Sequence, residues 1–123
     1  MLERVKEKTR PMPRASRAHE KRLQEALNAL SNRHRFKILI WLTDPEKHFP
    51  PQQDGDLVED GVCVGFITEK IGLSQPTVTT HMQTLAKAGL VSSKKIKNWV
   101  YYKLDDASID RFLGDLGHVL RRP

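Results

Sequence analysis

The sequence predicts a mainly α domain with one β-hairpin, and three features carry that prediction. Residues 66–91, FITEKIGLSQPTVTTHMQTLAKAGLV, read as two short helices joined by the turn Gly72-Leu73-Ser74, which is helix-turn-helix spacing. Residues 90–96 and 99–104 flank the turn Lys97-Asn98 and read as a hairpin. Apolar residues recur at helical spacing near both ends, which predicts a helix at each. The expected architecture is a winged helix-turn-helix that dimerises through its N- and C-terminal helices.

Composition narrows the class. A chain of 123 residues makes one domain, and a net charge of +6 favours polyanionic partners. The charge is uneven: residues 44–60 hold six acids and one base, net −5, which leaves +11 for the rest. The single cysteine excludes an intrachain disulfide and suits a reducing cytoplasm. The longest apolar run, residues 38–42, is far short of the roughly 20 residues needed to span a bilayer. The basic N-terminus has no apolar h-region of a secretory signal. The expectation is a cytoplasmic protein with no membrane partner.

Residues 1–17 carry six bases, two acids and two prolines and are expected to be a basic, flexible arm; an alternative is an arm lying along DNA. The domain proper is expected over 18–123. Its first helix, 18–30, places Leu23, Ala26, Leu27 and Leu30 on one face. Asn32 can cap the next helix, Arg33–Thr43, with Phe36, Leu39, Ile40 and Leu42 turned inward. The basic start of that helix (Arg33, Arg35, Lys37) reads equally as a solvated face or as a contact for flanking phosphates.

Residues 44–61 form an acidic insertion in which Pro45, Pro50, Pro51 and Gly55 forbid regular structure over most of its length; a mobile surface loop is expected, with a ligand, partner or metal loop as the alternative. The β-branched run at 61–64 reads as a short strand leading into a helix over 65–71. Ser74 caps the second helix of the motif and Pro76 falls in its first turn, where a missing N–H is harmless. Val78, Met82, Leu85 and Gly89 line its inner face, and Gly89 with Leu90 gives the stop. In the hairpin Val100, Tyr102 and Leu104 alternate with Trp99, Tyr101 and Lys103. Asp105 caps the last helix, with a Leu104–Ile109 staple.

The outer flank of residues 75–87 carries Pro76, Thr77, Thr80, Gln83, Thr84 and Lys87, with no carboxylate. Gln can read adenine, Thr offers hydroxyl and methyl contacts, and nothing repels phosphate; the alternative is an ordinary amphipathic helix. Lys94, Lys95, Lys97 and Asn98 at the hairpin tip read as a wing gripping the DNA backbone, or as lysines that protect an edge strand. Leu23, Leu27 and Leu30, together with Ile109, Phe112, Leu113, Leu116 and Leu120, form the expected dimer interface, unless both stripes pack within one subunit.

LNALSNRHRFKILIWL, GLSQPTVTTHMQTLAKAGLV and WVYYKL, in that order, resemble the ArsR/SmtB family of bacterial winged-helix repressors. The resemblance spans about residues 27–116, although relatives usually carry proline where Arg33 stands. It implies a dimer bridging two half-sites of a palindromic operator, with base and phosphate contacts from Gln75, Thr77, Thr79, Thr80 and His81; Ser74 is a further candidate DNA contact, and the alternative for His81 is to close the boundary between helix and core. Arsenic-type members carry a Cys-Val-Cys pair where this chain has Cys63-Val64-Gly65, and one thiolate is too few for a soft-metal site. Asp106, Asp110, Asp115 and His118 do not reproduce the spacing of the zinc-type members. No metal or other cofactor is expected, and the effector is unknown. Cys63 reads as a small residue in a strand, with a redox or sensor thiol as the alternative.

The expected function is sequence-specific binding of double-stranded DNA as a homodimeric transcriptional regulator, a repressor. The alternative is a winged-helix module for protein–protein contact. No nucleophile–base constellation or phosphate loop suggests an enzyme.

Overall fold

The computed structural model describes residues 14–121, with side chains from Arg17 onward. Helix α1 spans Arg14–Leu30. It starts four residues earlier than expected, because nothing in RASRAHEKRLQEALNAL interrupts a helix: it holds neither Gly nor Pro. Residues 14–17 of the expected arm are therefore helical, and residues 1–13 lie outside the described part. Helix α2 spans Arg33–Thr43 and is capped as expected, with the Asn32 side-chain oxygen accepting from the backbone N–H of His34 and Arg35.

The buried face of α2 is rotated from the expected one. Ile38, Leu39, Trp41 and Leu42 are buried, whereas Phe36 and Ile40 are 51% and 41% exposed. Apolar residues at 36 and at every position from 38 to 42 leave the helical phase ambiguous, so neighbours decide it. Trp41 meets Phe49 edge to face, and Lys70 lies 5.1 Å over the Trp41 ring.

The acidic insertion is packed rather than loose. Its start, Pro45–His48, forms the single-turn helix α3, and Phe49 and Leu57 are buried in the main core. The Gln52 side chain donates to the Gly61 carbonyl and accepts from the Cys63 N–H. Two apolar anchors set among polar residues show no periodicity, which is why this order was not legible in the sequence.

Strand β1 (Val62–Cys63) leads into α4 (Val64–Ile71), and α5 (Gln75–Lys87) follows. Strands β2 (Val91–Ile96) and β3 (Trp99–Leu104) form the hairpin. The sheet is antiparallel in the order β1-β3-β2, with Val62 opposite Tyr102 and Lys94 opposite Tyr101. Both its faces are covered, since Tyr101 and Tyr102 point to opposite sides and each is 4% exposed. Tyr102 joins the helical core. Tyr101 lies under the insertion, where a Cβ on Gly55 would come within 3.1 Å of both the Tyr101 ring and Ile96. Gly55 also has φ +82°, so glycine is required there twice over.

Helix α6 spans Asp106–Leu120 and is capped by Asp105, which accepts from the Ser108 N–H. Leu104 and Ile109 both pack against the core, as the staple requires. The expected dimer residues divide. Leu23 is buried within the subunit, and Leu30, Ile109 and Phe112 pack against the core while staying partly exposed. Leu113 and Leu120 stay exposed, with Val119 beside them, while Leu27 and Leu116 are half-buried. The terminal helices meet inside one chain, where His19 Nε2 lies 2.7 Å from the Asp115 carboxylate.

Candidate nucleic-acid interface

The interface is built on α5. Ser74 caps it: its Oγ lies 2.8 Å from Thr77 Oγ1 and accepts a long bond from the Thr77 N–H. Pro76 sits in the first turn. Val78, Met82 and Leu85 have no exposed area, and burying each contributes about 1.5–3 kcal/mol. The stop has Schellman geometry: the Leu90 N–H reaches the Leu85 carbonyl and the Gly89 N–H reaches that of Ala86, with Gly89 at φ +79°. One side of α5 is thus fixed in the core, and the other side faces out.

On that outer side Gln75, Pro76, Thr77, Thr80, Gln83 and Lys87 are exposed, and Thr79 and Thr84 are half-buried. Thr80 and Thr84 donate their hydroxyls to the carbonyls of Pro76 and Thr80, one turn back. Those bonds occupy the hydroxyl protons and fix the rotamers. The flank therefore offers methyl groups, the Thr77 and Thr79 hydroxyls, side-chain amides and one ammonium.

His81 is placed differently from the rest of the expected set. Its Nδ1 lies 3.1 Å from Arg35 Nη1, and its ring is 5.9 Å from that of His34. Arginine can only donate, so Nδ1 accepts through its lone pair and the imidazole is neutral, with its proton on Nε2. Burial first, then the charges of Arg35 and His34, push its pKa below the ordinary 6.5. His81 belongs to the seam between α2 and α5. Arg35 also donates to the Ala29 carbonyl at 2.7 Å and reaches that of Asn28, capping the end of α1. Of the three basic residues at the start of α2, Arg35 is thus structural, while Arg33 and Lys37 are exposed.

The wing also differs from the expectation. Lys94 is paired with Asp60 and Lys97 with Asp54, so both are met by the chain's own acids. Lys95 and Asn98 are exposed, and among the described residues Lys95 is paired with no acid. Lys95 stands opposite Val100, on the sheet face it shares with Tyr102, the side of the helical core. Opposite charge at 54–60 and 94–97 was visible in the sequence; the pairing needed the fold.

Cys63 is half-buried, opposite Tyr101. Burial and then the neighbouring Cys63 raise the Tyr101 pKa above its ordinary 10.0. Among the described residues no three His, Cys, Asp or Glu side chains are gathered to hold a metal ion.

This geometry agrees with the comparisons. The description "Bacterial regulatory protein, arsR family" matches residues 57–93, which hold the whole helix-turn-helix. Similarity extends to an HTH-type transcriptional regulator, YbzH of Bacillus subtilis, at 39% identity over 87 residues, covering 71% of this chain and 87% of that protein. The chain belongs to the arsR family. The arsR-family members it resembles are transcriptional regulators rather than enzymes. A biofilm growth-associated repressor of Xylella fastidiosa (strain 9a5c) is 26% identical over 118 residues, covering 94% of this chain and 90% of that one. The fold matches the homodimeric winged helix-turn-helix DNA-binding domain of a Mycobacterium bovis protein, with TM-score 0.61 and 19% identity, covering 90% of this chain and 89% of that one.

Proposed function

We propose that this arsR-family regulator binds a palindromic operator in duplex DNA as a homodimer and acts as a repressor in the cytoplasm. One observation carries the reading: an exposed, carboxylate-free flank of α5 lies beside a wing whose Lys95 is unpaired among the described residues. Gln75, Thr77, Thr80 and Gln83 supply contacts to base edges. Lys87, Lys95 and Asn98 meet phosphate, which positions the helix without reading sequence.

Dimerisation draws on α6. Leu113, Val119 and Leu120 are 57%, 58% and 72% exposed, an apolar face that a second copy would cover. The homodimeric Mycobacterium bovis neighbour supports a homodimer, and the Xylella relative, named a repressor, supports repression. No helix among the described residues is long and apolar enough to cross a membrane.

Selection from a pool of random duplexes with the full chain tests the reading. A two-fold symmetric sequence should be enriched. A pool that stays flat after repeated rounds at low salt would refute sequence-specific binding.

A further inference from the structure

The wing carries four lysines, and the sheet sorts them by face. Lys95 lies toward the helical core, whereas Lys94 and Lys103 lie on the opposite face with Tyr101. That opposite face is the one the acidic insertion covers. Lys94 is held by Asp60, Lys97 at the tip by Asp54 at 2.9 Å, and Lys103 by the Glu59 carbonyl at 2.8 Å.

The acids are presented by a fixed segment. The Asp56 carboxylate accepts from the N–H groups of Val58 and Glu59, and Asp60 accepts from the Asp56 N–H. Leu57 anchors the segment in the core, and Gly55 lies against Tyr101 and Ile96. Lys97 keeps a positive φ of +55° while holding Asp54, a backbone conformation a non-glycine residue seldom adopts. Asp60 is held below its ordinary 3.8 by Lys94 first and the Asp56 N–H second, so it is charged throughout the neutral range.

The geometry points to an autoinhibitory contact in which Asp54 and Asp60 occupy Lys97 and Lys94, so that the DNA backbone must displace two carboxylates to gain two lysines. This rests on the DNA-binding reading above. A carboxylate and a phosphate ask the same thing of an ammonium group, a charge-assisted hydrogen bond. A free lysine that meets phosphate releases a counterion from the DNA. A lysine taken from an aspartate leaves that aspartate uncovered beside DNA, where it recruits a cation and cancels the release. Lys94 and Lys97 therefore add little to affinity or to its salt dependence while the segment holds them. Exposed ion pairs are weak, so the contact attenuates binding and does not abolish it.

The test is fluorescence anisotropy with one labelled duplex over a salt series, comparing the full chain with Asp54→Asn/Asp60→Asn. Asparagine at 60 keeps an oxygen for the Asp56 N–H, so the segment keeps its shape. The variant should bind about three- to tenfold tighter at low salt. Its log–log salt slope should be steeper by up to about 1.8, or about 0.9 for each lysine freed. Asp54→Asn alone, which leaves every hydrogen bond within the segment intact, should give about half of each change. Both changes should vanish in a Lys94→Ala/Lys97→Ala background. Unchanged affinity and slope would overturn the contact, and so would an equal gain without the lysines, which would mean a general field of the acids. If neither the full chain nor the variant binds duplex at any salt, the DNA-binding reading falls and the contact with it. Binding by the full chain that the substitutions leave unchanged removes the contact alone.

Discussion

Arg35→Met is the substitution that most sharply separates a structural arginine from a DNA-contacting one. Methionine keeps much of the aliphatic stem and removes the guanidinium. Three contacts go with it: the Ala29 carbonyl at 2.7 Å, the Asn28 carbonyl at 3.4 Å, and His81 Nδ1 at 3.1 Å. A hydrogen bond from a charged donor contributes about 1.5–3 kcal/mol. The Asn28 contact is too long to add much. Arg35 is only partly buried, and solvent re-covers part of what is lost, which holds the total to about 2 kcal/mol. For a domain of this size that lowers the melting temperature by roughly 10 °C. Thermal unfolding followed by circular dichroism, at pH 7.5 and without DNA, reads it directly. A melting temperature within about 2 °C of the parent chain, combined with weakened DNA binding, would refute the structural role and return Arg35 to the phosphate-contacting set.

Three further outcomes are expected. His81→Asn keeps an acceptor for Arg35 and removes the titration. In the parent chain the depressed His81 pKa means a stabilisation that is complete above 6.5 and is lost as pH falls below that value and through the lowered pKa. Unfolding midpoints between pH 5 and 8 should therefore fall less steeply toward acid in the variant; identical profiles would clear His81 of the effect. Gln75→Ala, at the exposed start of α5, should cut discrimination between the selected duplex and a scrambled one by about 1–3 kcal/mol if the contact is bidentate, with no change in melting. Unaltered discrimination would remove Gln75 from the reading residues. Leu113→Glu places a charge in the exposed face of α6 and should shift sedimentation from dimer to monomer while the subunit stays folded; a dimer that persists would place the interface elsewhere.

The helix-turn-helix was almost wholly legible in the sequence, because its signals are local. Ser74, Pro76 and Gly89 each force a backbone conformation, and Val78, Met82 and Leu85 repeat at helical spacing. The caps at Asn32 and Asp105 were legible for the same reason. What escaped depends on contacts between segments distant in the chain. The face of α2 was not legible because consecutive apolar residues fix no phase, and packing turns Phe36 and Ile40 outward. The insertion looked loose because Phe49, Leu57 and Gln52 act through partners elsewhere in the fold. The partners of Lys94, Lys97 and His81 were not legible, because sequence shows a charge or a ring but not which side chain already holds it. Leu23 looked like an interface residue because a helical stripe does not say which neighbour will cover it.

The central claim is that two copies of the α5 flank meet one duplex together. Hydroxyl-radical footprinting on the selected duplex, with stoichiometry from sedimentation of the complex, tests it most directly. The account predicts two protected patches related by two-fold symmetry, centred about one helical turn or a multiple of it apart, and two chains per duplex. A single patch carrying one chain, or protection that ignores sequence, would contradict it.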